Sequence, residues 1–193
     1  MEYLSGGSIA DLCKRYGRLG ETICRQYTIQ VIQALIYLHS KDVVHGDLKG
    51  ANVLLTKNGE QIKLCDLGSS RLMEQEQSYQ SIKTVINGTL AWMAPESFES
   101  KQGKKSDVWS LGCLIVEMLT GDNPWGRRLE EGNAIFELQR ALQNKERPEV
   151  PKFVSSECAN FVQRCLRHTY KERPYAHELL DDPWLKSTDN PTK

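Results

Sequence analysis

Three side chains early in the chain are of the types and spacing to do chemistry together. Asp47, Lys49 and Asn52 lie in the stretch His45-Gly46-Asp47-Leu48-Lys49-Gly50-Ala51-Asn52. A carboxylate can accept the proton of an attacking alcohol, a lysine can lie against a moving phosphoryl group, and an amide oxygen can bind Mg²⁺. Each residue also has a plainer reading. Asp47 reads as a turn carboxylate and Asn52 as an Asx-turn residue, since both types favour loops.

Short β-prone runs must flank that loop. Val43-Val44 precedes it and Val53-Leu54-Leu55 follows it. Lys57-Asn58-Gly59-Glu60 carries an Asn-Gly turn signal, and Ile62-Lys63-Leu64-Cys65 reads as the partner strand. Such a hairpin sets Asp66 at a strand end, close to Asp47 and Asn52. Helical periodicity covers residues 8–16 and 21–40. In the second, Ile23, Tyr27, Val31, Leu35 and Leu38 read as one apolar face. Residues 106–120 are too apolar for a surface helix and are expected to be buried. Further helices fit residues 133–143, 155–167 and 175–181, with Pro148, Pro151, Pro174 and Pro183 at their boundaries. Residues 69–93 are polar and aperiodic, a long loop. Trp109, Trp125 and Trp184 read as packing anchors. His39, at a helix end, reads as a complement to the helix dipole, and His168 and His177 receive no role.

Composition excludes some classes. The 25 basic and 25 acidic residues cancel, which argues against nucleic acid or a polybasic membrane contact. The six cysteines include no C-x-x-C pair and no metal-ligand spacing with a histidine pair, so they read as small core hydrophobes in a reducing compartment. No charged-then-apolar leader and no membrane-length apolar run is visible, and the expectation is a cytoplasmic protein. Residues 187–193 are expected to be a disordered tail.

The order of motifs resembles a eukaryotic protein kinase. His45 to Asn52 keeps four of the five positions that H-R-D-L-x-x-x-N specifies, with Gly46 the exception. Asp66-Leu67-Gly68 stands where kinases have DFG, and Ala94-Pro95-Glu96 is the APE that ends the activation segment. Asp107-Val108-Trp109-Ser110-Leu111-Gly112 is similar to the DVWSLG that opens a buried kinase helix, and Arg173 falls where kinases pair an arginine with Glu96. Residues 1–186 resemble the hinge and large C-terminal lobe. The fold class expected is α+β, mainly α: a kinase C-lobe with small β-hairpins and the N-terminal lobe missing. GANVLL, GTLAWMAPE and VEMLTGDNPW look most like the MAP kinase kinase kinase group.

The resemblance implies ATP and Mg²⁺ as cofactors and protein substrates, MAP kinase kinases among them. It makes Asp47 the acceptor of a Ser or Thr hydroxyl proton and Lys49 the neutraliser of γ-phosphate oxygens. Asn52 and Asp66 would hold Mg²⁺, with Asp66 otherwise readable as another turn carboxylate. Thr89, after Gly88, would position the loop and the substrate. Leu54 would floor the adenine pocket, while the Glu2 carbonyl and Leu4 amide meet the adenine edge. Asp107 would brace the catalytic loop, and His45 would stack under Leu67.

Three departures from the pattern stand out. Leu67 replaces Phe, a mild change. Gly46 replaces the arginine that binds an activation-loop phosphate, so control by phosphorylation is expected to be weak; Arg71 is a remaining cation, and Ser78, Ser81 and Thr84 are candidate acceptors. These 193 residues also contain no Gly-rich loop, no V-A-I-K lysine and no partner glutamate for it. Alone they are expected to bind ATP poorly, and the exposed small-lobe face is expected to need the missing lobe or a partner. The reading favours part of a longer kinase; the alternative is a non-catalytic, kinase-like decoy.

Overall fold

The computed structural model describes residues 5–67, 71–72, 90–99, 101–126 and 134–187. Helix α1 (Ile9–Tyr16) begins in a capping box. The Asp11 amide donates to Ser8 Oγ at 3.1 Å, and the Ser8 amide donates to Asp11 Oδ2 at 2.9 Å. Helix α2 (Glu21–Ser40) buries Cys24, Tyr27, Thr28, Val31, Ile32, Leu35 and His39. Its buried face is turned from the one expected: Ile23 is exposed, and Cys24 and Thr28 lie inward. Small residues with little polarity fill a tight helix contact better than a bulky Ile, and a purely apolar count misses them.

Helix α3 (Lys104–Thr120) is the axis of the molecule. Every residue from Lys105 to Leu119 except Ser110 is buried, as its composition required. Ser106 Oγ accepts the Gly103 amide at its start, and Gly121 ends it with φ 76, the left-handed conformation that glycine adopts without strain. Helices α4 (Ala134–Gln143), α5 (Ser156–Cys165), α6 (Ala176–Leu179) and α7 (Pro183–Lys186) follow. Helix α7 was not foreseen; Asp182 caps it and Pro183 occupies its first turn. Helix α2 packs on α3 and α6, and α3 packs on α5.

The tryptophans are anchors, as expected. Trp109 and Trp184 are fully buried, and Trp184 packs on Phe161 with ring centroids 4.9 Å apart. Glu21 ties three elements together, accepting the Trp184 indole at 2.9 Å and the Ser155 amide at 2.8 Å. His168 packs edge-on against Trp109. All six cysteines are free thiols and all but Cys65 are buried.

The expected hairpin forms. Strands β2 (Val53–Leu55) and β3 (Ile62–Leu64) pair antiparallel, Val53 with Leu64 and Leu55 with Ile62. Gly59 turns the chain between them with φ 71. Before β2, β1 (Val43–Val44) pairs antiparallel with β4 (Arg71–Leu72), a strand inside the segment read as loop. Two residues are too few to show a period. The backbone at Gly6 and Gly7 lies along β2, the Gly6 amide donating to the Leu55 carbonyl at 3.2 Å. A Cβ on Gly6 would sit 2.2 Å from the Thr56 carbonyl oxygen, so only glycine fits. No helix among the described residues is long and apolar enough to cross a membrane.

Candidate active site

Strand β1 delivers the chain into His45, and the loop that follows is hung from α3. Asp107, in the first turn of α3 and fully buried, accepts the His45 amide through Oδ2 and the Gly46 amide through Oδ1, both at 2.9 Å. His39 Nε2 lies 2.8 Å from the same Oδ2. His39 is therefore buried and tied to the loop's brace, not merely set against a helix dipole. No local pattern links it to a carboxylate so distant in the chain.

Gly46 has a backbone reason to be glycine. Its φ is 78, in the left-handed region where a side chain is strained. Its carbonyl accepts Gln102 Nε2 at 3.1 Å.

The loop then brings three of the expected residues together. Asp47 Oδ2 accepts Lys49 Nζ and Asn52 Nδ2, each at 2.9 Å. Asn52 Nδ2 also donates to the Asp47 carbonyl at 2.7 Å, within a 3₁₀ turn at Gly50–Asn52. The amide nitrogen of Asn52 is thus committed to Asp47, and its oxygen is the atom left to face a cation. Asp47 Oδ1 is buried and has no hydrogen-bond partner among the described residues. A buried carboxylate oxygen without a donor is costly unless something fills the position during function.

Asp66 joins through the backbone: the Cys65 amide donates to the Asn52 carbonyl at 2.9 Å. Asp66 is exposed, with φ 60, a conformation that Asp tolerates better than most residues. Burial, and then the charges of Asp66 and Asp47, raise the pKa of the Cys65 thiol beside it. Leu54 projects from β2 on the face opposite the buried Val53 and Leu55 and is half-buried. His45 is fully buried, whereas Leu67, expected above it, is 47 % exposed. Glu2, Leu4, Gly88 and Thr89, with Ser78, Ser81 and Thr84, lie outside the described residues, as does the Arg71 side chain.

Oxygen donors at Asn52 and Asp66 suit Mg²⁺, which takes one or two carboxylates and completes its shell from phosphates and water. No group of three or more His, Cys, Asp or Glu among the described residues is arranged to hold a metal ion by itself.

Below the site, Arg173 is fully buried and forks onto Glu96 at 2.7 Å and 3.0 Å, the pair expected from their positions. A second buried carboxylate, Glu117 of α3, lies within a helix whose apolar composition gives no sign of a site role. It accepts the Gly50 amide and the Trp92 indole. Burial raises its pKa to about 7.

The family model described as "Protein kinase domain" matches residues 1–185. The chain belongs to the protein kinase domain family. The domain is 41% identical over 190 residues to Mitogen-activated protein kinase kinase kinase 3 of Arabidopsis thaliana, covering 97% of this chain and 30% of that protein. It is 38% identical over 189 residues to Mitogen-activated protein kinase kinase kinase YODA of the same plant, covering 97% of this chain and 20% of that protein. Against Mitogen-activated protein kinase kinase kinase 3 of Homo sapiens it is 40% identical over 181 residues, covering 93% of this chain and 28% of that protein. The chain spans less than a third of the length of these relatives.

Proposed function

We propose that this kinase domain, in its full-length protein, transfers the γ-phosphoryl group of ATP to Ser or Thr hydroxyls of protein substrates. The observation that carries the reading is the state of Asp47. One oxygen is held by Lys49 and Asn52, and the other is buried and has no hydrogen-bond partner among the described residues. That free oxygen, Oδ1, is the atom to receive the hydroxyl proton as the substrate oxygen attacks phosphorus and the bond to the ADP oxygen breaks. Lys49 donates to the other oxygen, Oδ2, and stands ready for phosphate charge. Asn52 and Asp66 would hold Mg²⁺, which supplies charge neutralisation when bound. Leu54 would floor the adenine site, with the Glu2 carbonyl and Leu4 amide at the adenine edge and Thr89 at the substrate.

The curated relatives are named as MAP kinase kinase kinases, so we take MAP kinase kinases as the substrate class. The cytoplasm is kept as the expected compartment. Residues 1–186 form the hinge and C-lobe in this reading, and 187–193 a tail. The 193 residues alone contain no Gly-rich loop or V-A-I-K lysine, so by themselves they bind ATP weakly, and an N-lobe or partner covers the small-lobe face. An assembled Asp47–Lys49–Asn52 cluster favours an enzyme over a non-catalytic decoy.

The test is phosphoryl transfer to a generic basic protein by the full-length protein. Asp47→Asn should lower kcat by about 10²–10⁴-fold while ATP affinity is kept. Wild-type turnover by the Asn variant would overturn the assignment.

A further inference from the structure

We propose that Glu117 is a positioning residue, one carboxylate oxygen of which locks the catalytic loop to the Leu90–Trp92 turn. Glu117 Oε2 accepts the Gly50 amide at 2.9 Å and the Trp92 indole N–H at 2.9 Å. The Gly50 amide lies between Lys49 and Asn52, and the Asn52 amide in turn donates to the Lys49 carbonyl at 2.9 Å. Fixing Gly50 therefore fixes the turn that aims Lys49 and Asn52 at Asp47. On the other side, Trp92 closes the segment that begins at Thr89, assigned above to the substrate. Two strands of chain that must be in register for transfer thus share one acceptor.

The surroundings show that this carboxylate is not a filler. It sits in the last turn of a buried helix, where the dipole disfavours an anion and burial disfavours any charge. An apolar side chain would pack there at less expense. Burial raises the carboxyl, and the Gly50 amide, the Trp92 indole and the charge of Lys49 hold it down, so the group is supported by donors aimed at it. The titratable neighbours are Lys49 on the loop, Cys113 on the same helix, and Cys13 of α1, whose Sγ lies 3.9 Å from the Glu117 carbonyl. Lys49 is the one charged group among them.

Residue 50 is matched to the carboxylate. A Cβ there would lie 2.3 Å from Glu117 Oε1 and 2.9 Å from Oε2, and a proline would have no N–H to donate. Glycine is the residue that lets the carboxylate reach the backbone. Trp92 is held in place from two other directions. Its carbonyl accepts Ser110 Oγ at 2.8 Å, and the neighbouring Ala91 carbonyl accepts the Trp125 indole at 2.9 Å. The Leu90–Trp92 turn is thus a rigid support against which Glu117 can hold a loop.

The inference rests on the reading of Asp47 as proton acceptor for its consequence, but not for its geometry. The experiment has two arms in the full-length protein, with Glu117→Gln and Trp92→Phe, the latter removing only the indole donor. Amide hydrogen exchange at Gly50 should accelerate about tenfold or more in Glu117→Gln, with global unfolding no faster. Transfer assays should show kcat lowered about tenfold in both variants, with KM for ATP within about twofold. Wild-type kcat should fall as pH drops through about 7, and that step should be absent in Glu117→Gln. Unchanged Gly50 exchange together with unchanged kcat in a folded Glu117→Gln protein overturns the inference. A wild-type protein without transfer activity overturns the functional reading instead, and the exchange arm still decides the role of Glu117. Should Glu117→Gln fail to fold, Trp92→Phe decides: kcat within twofold of wild type refutes the shared-acceptor lock.

Discussion

Arg173 offers the sharpest quantitative test of how this lobe is held together. Its side chain is fully buried, and the guanidinium spends its donors in four directions. It forks onto both oxygens of Glu96, and it donates to the Lys105 carbonyl at 2.7 Å and the Arg167 carbonyl at 3.0 Å. Its plane also lies 5.2 Å from the Trp109 ring centroid. Arg173→Met keeps the length and the packing and removes every donor. Among the described residues, Glu96 would then retain only the Ser106 hydroxyl as a side-chain donor, 2.8 Å away. Removing one partner of a buried ion pair costs about 3–5 kcal/mol, which in a domain of this size lowers Tm by roughly 6–20 °C. Arg173→Lys keeps the charge but not the fork, and should recover less than half of that loss. The pair also couples: the double variant with Glu96→Gln should be less destabilised than the sum of the two singles, by more than about 1 kcal/mol. Urea unfolding followed by tryptophan fluorescence reads all four proteins. A loss under about 1 kcal/mol for Arg173→Met would refute the claim that this pair, and not the surrounding apolar packing, fixes the end of the 95–99 turn against α3.

Two further outcomes concern stability. Burial holds the Glu117 carboxyl at about 7 against an ordinary 4.5. The folded chain therefore keeps a proton that the unfolded chain releases. The stability tied to it is complete below pH 4.5 and is lost as pH rises through about 7, on the order of 3 kcal/mol in all. Denaturation midpoints between about pH 5 and 8 should fall with rising pH, and Glu117→Gln should flatten that slope; an identical slope in the variant would show that another group is responsible. Gly6→Val drives a Cβ to within 2.2 Å of the Thr56 oxygen. It should cost about 1–3 kcal/mol and free the 6–7 segment from β2, and an unshifted melting curve would show that the backbone there yields without penalty.

The long elements were legible because burial imposes a period on many residues at once. Helix α3 is legible from its mostly apolar composition, and the β2–β3 hairpin from Asn58-Gly59. The face of α2 was misjudged because Cys24, Thr28 and His39 are buried for reasons of size and hydrogen bonding that an apolar count does not weigh. Strand β4 was hidden because two residues carry no alternation. At the site, Asp47, Lys49 and Asn52 were legible because they fall within one short loop and bond to each other. Glu117 and His39 were not, since each acts on a residue far away in sequence. An acid among apolar residues gives no hint of the amide it will meet.

Helix α3 grips the catalytic loop at two places: Asp107 holds its entrance at His45 and Gly46, and Glu117 holds Gly50. Those two acids are separated by about 15 Å of helix rise. A buried α-helix cannot stretch, so it acts as a ruler laid beneath the loop. One residue inserted between the acids would swing the later one about 100° around the axis and detach its end of the loop. The length of the loop and the count of residues in the helix are therefore bound to each other, and neither can drift alone.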